Sequence, residues 1–120
     1  RYIHAVHNTN DIERVIMLMN IRYDVPYDSQ SYAKICALSK SRFSHKFKEV
    51  TGDTPSRYFI GIKIDKACEL LKFSNLSLSE IAEKIGYDNA LYFSRIFKKY
   101  MHLSPTEYRT KSKQKESAAK

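Results

Sequence analysis

Two stretches of this sequence, fifty residues apart, are nearly the same. FKEVTGDTP begins at Phe47, and FKKYMHLSP begins at Phe97. Three further pairs share the offset: Phe43 and Phe93, Ser44 and Ser94, Tyr58 and Tyr108. Repetition at a fixed offset is typical of one structural unit that is used twice. In a chain of 120 residues, the two copies form one compact domain or two very small lobes that share a core.

Apolar residues recur at intervals of three and four along the chain, which is the spacing of amphipathic helices. With only three Gly and three Pro, the chain has few residues for the tight turns of a many-stranded β fold. We therefore predict an all-α protein of about seven helices. The predicted helices span 11–22, 30–37, 40–50, 55–73, 78–85, 89–101 and 105–110, with a lead-in at 1–10 and a disordered basic tail at 111–120.

The predicted helix ends rest on residues that satisfy free backbone groups. Gly52 suits the left-handed position that follows a helix C-terminus. Glu80 and Glu107 each stand three residues after a Ser and complete two capping boxes. The candidate N-caps are Asn10, Ser39, Thr54, Ser77, Asp88 and Ser104.

Each copy pairs a short helix with a longer one across a turn. Small residues, Ala33 and Ala37 in the first copy and Ala82 and Gly86 in the second, allow the paired helices to cross closely. The residues predicted to be buried in the longer helices are Phe43, Phe47 and Val50, and Phe93, Ile96, Phe97 and Tyr100. Two helix-turn-helix units are therefore predicted at 30–51 and 78–101, joined by a long linker helix at 55–73.

The outward faces of the two longer helices repeat as well. Each face combines short hydroxyls with long donors and lies away from the aromatic stripe. Such a face suits a helix in a DNA major groove, where Arg bonds guanine and an apolar side chain meets a thymine methyl. The alternative is an ordinary solvated face. The positions i, i+3, i+4 and i+7 are Ser41, Ser44, His45 and Lys48 in one helix, and Leu91, Ser94, Arg95 and Lys98 in the other.

The charge of the chain favours an anionic partner. The net charge is +8 and the pI is near 9.5. A small basic body is typical of nucleic-acid binding, although a plain basic surface is the alternative. The sequence contains neither a signal-peptide pattern nor an apolar run of about 18 residues, so we expect a cytoplasmic protein without membrane contact. Because residue 1 is Arg rather than Met, we expect a piece of a longer protein.

The stretch SLSEIAEKIGYDNALYFSRIFKKYMHLSPTEYR, from Ser77, resembles the AraC/XylS family of bacterial transcription regulators. The family pattern runs IA-x-x-x-G-F/Y, then YF-x-R-x-FK-K, then SP-x-x-Y/F-R, and each segment is matched in order. KACELL, from Lys66, matches the linker-helix pattern that precedes it. The resemblance covers about residues 11–109.

The resemblance implies sequence-specific binding of double-stranded promoter or operator DNA by the output domain of a regulator, with activation favoured over repression. Two recognition helices are expected to enter successive major grooves. A linker of about nineteen residues spans roughly 28 Å, which is near the ~34 Å between adjacent groove entries. The further partners implied are RNA polymerase and an N-terminal sensing or dimerisation domain.

The resemblance also assigns roles to the residues of the two helices. Arg42 and Arg95 are the expected base readers, although Arg95 alternatively holds only a phosphate. The lysines position the protein on the DNA backbone, and the second helix, with fewer polar readers, is expected to sense thymine methyls and DNA shape. The implied contact residues are Ser41, Arg42, Ser44, His45 and Lys48 in the first helix, and Ala90, Leu91, Ser94, Arg95 and Lys98 in the second.

Two positions depart from the family pattern. His102 stands where the family usually has Gly and where the first copy has Gly52. A non-Gly residue in a left-handed position costs roughly 1 kcal/mol or more, so the second turn is expected to be strained or altered. Lys63 replaces an Arg that is common in the linker helix, which puts a two-pronged contact there in doubt.

Two other classes of function were compared with DNA binding. For an enzyme or a metal protein, the four His and two Cys form no CxxC or HExxH spacing, and no catalytic residue, metal or cofactor is expected. Cys36 and Cys68 lie in apolar patterns typical of packing residues. For a helical protein–protein interaction module without base readout, the supporting residues are tyrosines expected to be exposed: Tyr2, Tyr23, Tyr27 and Tyr32.

Overall fold

A computed structural model describes the backbone of residues 2–119 and the side chains of residues 10–116. Within these residues the chain forms seven α-helices and no strand, which confirms the all-α prediction. The helices are α1 Tyr2–Ile21, α2 Ser29–Ile35, α3 Lys40–Thr51, α4 Pro55–Phe73, α5 Leu78–Lys84, α6 Ala90–Met101 and α7 Pro105–Ala119.

The first and last helices are longer than the sequence predicts. Helix α1 begins at Tyr2, so Asn10 lies inside it and is not an N-cap. Helix α7 continues to Ala119 rather than ending near Thr110, which corrects the prediction of a disordered tail at 111–119. Neither segment contains Pro or Gly, and the tail is rich in Lys, Gln, Glu and Ala, all good helix formers. Arg1 and Lys120, the ends of the predicted lead-in and tail, lie outside the described residues.

The chain divides into two compact units, and the boundary falls inside α4, between Ile62 and Lys63. In the first unit, α1, α2, α3 and the first part of α4 enclose a continuous apolar core. The ring of Phe47 meets that of Tyr58 edge to face, with centroids 5.3 Å apart. The core residues are Ile12, Val15, Met19, Tyr32, Ala33, Cys36, Phe43, Phe47, Phe59 and Ile62.

The second unit repeats this packing. Phe97 meets Tyr108 edge to face at 5.6 Å, which reproduces at an offset of fifty the contact of Phe47 with Tyr58. Its buried residues include Ile64, Ala67, Leu71, Ile81, Ala82, Ile85, Phe93 and Phe97. The repeat in the sequence is therefore one structural unit used twice.

Three residues predicted to be buried lie nearer the surface. Val50 is 40% exposed, and Ile96 and Tyr100 are only half-buried. Each stands three residues beyond an inward-facing Phe, at the edge of the stripe. Two phenylalanines per helix, at i and i+4, already fill the space facing the core, so the edge positions stay partly in solvent.

The turn between the paired helices differs in length between the copies. Ala37 and Gly86 occupy equivalent left-handed positions, at φ 55° and 87°. Ser39 caps α3 as predicted, but Asn89 caps α6 in place of Asp88. The turn of the second copy contains one more residue, which moves the cap one position further along the chain. The capping boxes at Ser77 and Ser104 form as predicted.

The left-handed positions after α3 and α6 give a matched test of backbone strain. Gly52 has φ 84° and His102 has φ 63°, and both backbone N–H groups donate to the carbonyl of a Lys one turn earlier. We expect His102→Gly to raise the free energy of unfolding by about 1 kcal/mol because it removes the Cβ from a left-handed residue. Urea unfolding followed by circular dichroism measures the change.

The reverse substitution is the control for this prediction. A Cβ at Gly52 meets nothing within 4 Å, so the Cβ that Gly52→His adds introduces backbone strain without a contact of its own. It is expected to lower the free energy of unfolding by about 1 kcal/mol. Equal stability of His102→Gly and the parent chain would show that the second turn carries no strain.

Candidate nucleic-acid interface

Helix α3 carries all five residues predicted for the first recognition helix on its solvent side. Ser41, Arg42, His45 and Lys48 are exposed, and Ser44 is half-buried. The opposite side of α3 is held by Phe43 and Phe47, which are fully buried. Because two buried aromatic anchors fix the rotation of the helix, the polar residues cannot turn inward without exposing those rings.

A shallow groove of about 460 Å³ runs along the solvent side of α3. It brings the hydroxyl of Ser41, the guanidinium of Arg42 and the imidazole of His45 to one surface. Lys46 and Glu49, which the sequence did not single out, also line it. Their signal in the sequence is weak, since charged residues are expected anywhere on a surface helix.

Helix α6 presents the second set in the same way. Leu91, Arg95 and Lys98 are exposed, with Leu91 at 61%, and Ala90 and Ser94 are half-buried. Phe93 and Phe97, fully buried, anchor the opposite side. The exposed leucine stands where α3, fifty residues earlier, has Ser41.

Tyr92 is a candidate contact that the sequence reading missed. Its ring is exposed and packs edge to face on the ring of Tyr87, with centroids 5.6 Å apart. It sits one turn before Arg95, so the two side chains are neighbours on the helix surface. A signal for Tyr92 is present in the sequence, since it is a large aromatic residue next to the outward-facing positions of α6.

The end of α5 is held by a buried cation from α4. Lys63 is 4% exposed, and its Nζ donates a hydrogen bond of 2.7 Å to the backbone carbonyl of Ile85. The same ammonium lies 5.3 Å from the centroid of the Tyr87 ring. A positive charge at a helix C-terminus meets the free carbonyls and the negative end of the helix dipole. Lys63 therefore fixes the start of the turn that leads into α6.

Arg109 also donates hydrogen bonds to backbone carbonyls at a helix C-terminus, in this case the end of α4. Its Nε donates to the carbonyl of Leu71 at 3.0 Å, and one terminal nitrogen donates to Ser74 at 3.2 Å. The Leu71 carbonyl belongs to the last turn of α4, which has no helical partner for it, and Ser74 directly follows the helix. The sequence marks Arg109 as part of the family pattern without a role, and the structure gives it a capping role.

The Tyr87 hydroxyl is buried and has no hydrogen-bond partner among the described residues. Burial and the neighbouring Tyr92 raise the pKa of Tyr87 to about 12. We expect Tyr87→Phe to leave the free energy of unfolding unchanged or to raise it by about 1 kcal/mol, because it removes an unsatisfied polar group and keeps the ring. Since the folded pKa lies above the unfolded one, stability should also fall from pH 10 towards pH 12, and less so in the variant.

Tyr108→Phe is the matched control for this prediction. The Tyr108 hydroxyl lies within hydrogen-bonding reach of the Cys68 thiol and the Ser112 hydroxyl, so its removal is expected to cost about 1 kcal/mol. Thermal unfolding at neutral pH compares the two variants with the parent chain. A loss for Tyr87→Phe as large as for Tyr108→Phe would contradict the prediction.

The tyrosines that favoured a protein–protein module are less exposed than predicted. Tyr32 is 3% exposed and lies in the core of the first unit. Tyr23 and Tyr27 are partly buried and pack against the same core, and the side chain of Tyr2 lies outside the described ones. Tyr32 directly precedes Ala33 on α2, and both side chains are buried. The support for this alternative is therefore weaker than the sequence suggests.

The two cysteines lie inside the protein rather than on its surface, one buried and one half-buried. Burial raises the pKa of the Cys36 thiol to about 11, so it stays protonated at neutral pH. Cys68 is half-buried, and burial raises its pKa as well. No group of three His, Cys, Asp or Glu side chains that could hold a metal ion occurs among the described residues. None of the described helices is long and apolar enough to cross a membrane.

Comparison with known proteins places these helices in a wider group. A family described as "Helix-turn-helix domain" matches residues 32–111. The MmsAB operon regulatory protein of Pseudomonas aeruginosa is 37% identical over 109 residues, which cover 91% of this chain and 36% of the relative. The chain thus spans about a third of the length of that relative.

Solved structures share the arrangement of helices. The C-terminal domain of AraT, a response regulator from Geobacillus stearothermophilus, superposes with a TM-score of 0.79 at 31% identity, covering 84% of each chain. The DNA-binding domain of AdpA, a global transcriptional factor solved in complex with a target DNA, has a TM-score of 0.81 at 22% identity, covering 87% of this chain and 94% of that one. Because the identity to the AdpA domain is only 22%, this comparison shows a shared fold and nothing more.

Proposed function

We propose, since the chain belongs to the AraC/XylS family of DNA-binding transcription regulators, that α3 and α6 are its two recognition helices and read two successive major grooves of one duplex. The observation that carries this proposal is the matched pair of solvent-facing sides. Each helix is anchored by two buried phenylalanines and carries, at the same spacing, a half-buried serine, an exposed nitrogen donor and an exposed lysine: Ser44, His45 and Lys48 on α3, and Ser94, Arg95 and Lys98 on α6. An ordinary surface helix does not require this pattern. Its presence on two helices favours the same function for both.

The side chains divide into those that can specify bases and those that can position the protein. Arg42 and Arg95 are long enough and have the paired donors to bond guanine O6 and N7. Leu91, exposed on α6, suits a thymine methyl. Lys48 and Lys98 lie near the ends of their helices and suit the phosphates.

Selection of bound duplexes from random DNA tests the two-groove proposal. The expected outcome is one asymmetric site with two conserved blocks, whose centres lie about one helical turn, ~10 bp, apart. A single conserved block, or two blocks in inverted repeat, would contradict the reading of one site by one chain. The site obtained is then the probe for the variants below.

The lysines are expected to set the salt dependence of binding. Affinity for DNA should fall steeply between about 50 and 200 mM salt, because each neutralised phosphate releases a counterion. Lys48→Ala and Lys98→Ala should each reduce the slope of log K against log salt by about 1 and weaken specific and random duplexes alike. Fluorescence anisotropy at several salt concentrations measures the slope.

Lys72→Ala is the control, because Lys72 lies at the end of α4 and not on a recognition helix. It is expected to leave the slope unchanged. A flat salt response of the parent chain would favour the protein–protein module instead, since that contact does not depend on phosphates.

The finer parts of the function rest on the family resemblance. We propose that the regulator activates transcription in the cytoplasm, that RNA polymerase is one partner, and that a sensing or dimerisation domain is another. The relative from Pseudomonas is about three times as long as the matched segment, which leaves room for such a domain in a regulator of this kind. A reporter gene placed downstream of the selected site, with and without the full-length regulator, distinguishes activation from repression.

A further inference from the structure

The second unit carries an apolar surface that the reading of DNA does not use. Phe73, the last residue of α4, is 79% exposed, although a phenylalanine in water loses the free energy that burial of its ring would gain. It lines a groove of about 560 Å³ together with Leu103 and Tyr108. Its lining residues come from the end of α4, the segment after α6, and α7. None of them belongs to the solvent side of α6.

The rim of this groove is basic. Lys72, Lys111 and Lys115 border it, and the Lys72 ammonium lies 5.7 Å from the centroid of the Phe73 ring. One carboxylate, Glu116, is also present. An apolar floor with three cations at its edge is complementary to a segment that carries both large apolar side chains and carboxylates.

We propose that the Phe73 groove, formed by Lys72, Phe73, Leu103, Tyr108, Lys111 and Lys115, docks an acidic segment of a protein partner through large apolar side chains. A protein is favoured over the DNA backbone because phosphates gain nothing from an exposed phenylalanine, whereas a leucine or an aromatic side chain buries it. A volume of 560 Å³ accommodates a few such side chains. The exposed Phe73 ring is the main contact for the apolar side chains of the partner, and the lysines favour a negatively charged segment.

The ordering of this groove depends on the contacts that hold its walls. Arg109 holds the end of α4 by hydrogen bonds to the carbonyls of Leu71 and Ser74, which lie on either side of Phe73 in the sequence. The Tyr108 hydroxyl lies within hydrogen-bonding reach of the Cys68 thiol on α4. The end of α4 and the start of α7 are thus fixed to each other, which keeps the groove formed before a partner arrives.

Panning a library of random peptides on the immobilised chain, without selection against any variant, tests the proposal. The enriched peptides are expected to combine Asp or Glu with Leu, Phe or Trp. Their affinity, measured by fluorescence anisotropy, should fall at least about tenfold on Phe73→Ala and on the double variant K111E/K115E. Phe73 is exposed, so its replacement should not disturb the fold. Ile21→Ala, an exposed apolar residue of the first unit, is the matched control and should leave the affinity unchanged.

Several outcomes overturn the proposal. Enriched peptides without acidic and apolar residues, or equal binding to Phe73→Ala, would show that the groove docks no such segment. A loss of affinity for the selected duplex in Phe73→Ala would make the ring part of the DNA contact. Concentration-dependent association of the chain that disappears in Phe73→Ala would identify a second copy as the occupant. Unchanged duplex binding by this variant also keeps the test separate from that of the recognition helices.

Discussion

Replacing Phe97 by Ala is expected to cost the second unit about 3–5 kcal/mol and to abolish sequence-specific DNA binding. The ring is fully buried and meets both Phe93, at 5.8 Å, and Tyr108, at 5.6 Å. Units of about 60 residues bury only about 60% of the surface that the unfolded chain exposes, less than larger domains do, and are only marginally stable. A loss of this size therefore removes most of the stability available to α5, α6 and α7.

Phe47→Ala is the matched variant in the first unit, where the same ring meets Phe43 and Tyr58. We expect it to unfold the first unit, and Phe97→Ala to unfold the second. Amide spectra by NMR report which half loses its dispersed signals. Phe73→Ala, at an exposed phenylalanine, should change neither half. Loss of both halves in each variant would show that the chain folds as one cooperative body.

The local order of the helices could be predicted from the sequence because their ends are set by chemistry close in the chain. Ser39, Gly52 and the capping boxes at Ser77 and Ser104 all behave as predicted, since each satisfies backbone groups within four residues. The prediction that Asp88 caps α6 was wrong because it overlooked the extra residue in the second turn. The sequence contains this signal, since Ala37 and Gly86 are 49 residues apart whereas Phe43 and Phe93 are 50 apart. Either Asp88 or Asn89 could cap α6 by residue type.

The long-range polar contacts could not be predicted from the sequence. Arg109 matches the family pattern and Lys63 departs from it, yet each donates to a carbonyl more than twenty residues away. The exposure of Phe73 was equally hidden, because a phenylalanine at helical spacing is usually buried. In each case the contact or the exposure depends on which residues lie nearby in the folded chain, and the sequence does not show this. The outward faces of α3 and α6 could be predicted because the buried aromatic residues define the inward side of each helix, and the outward residues lie opposite them.

The base-reading roles of the two arginines are expected to appear as separate losses at separate blocks of the DNA site. Arg42→Ala and Arg95→Ala should each weaken binding to the selected duplex by about 1–3 kcal/mol and relax base choice at one position. The relaxed position should lie in one block for Arg42 and in the other for Arg95, because the residues are on different helices.

The double variant distinguishes two independent readers from one shared contact. If the helices occupy different grooves, the losses add, and Arg42→Ala with Arg95→Ala should weaken the specific site by about 2–6 kcal/mol while random DNA loses far less. Competition binding against the selected and a scrambled duplex at fixed salt measures both. Equal losses for Arg95→Ala on the two duplexes would make Arg95 a phosphate contact. In that event the specificity of α6 would rest on Leu91 and on the shape of the DNA, since an apolar contact and a deformable step distinguish sequences without a hydrogen bond.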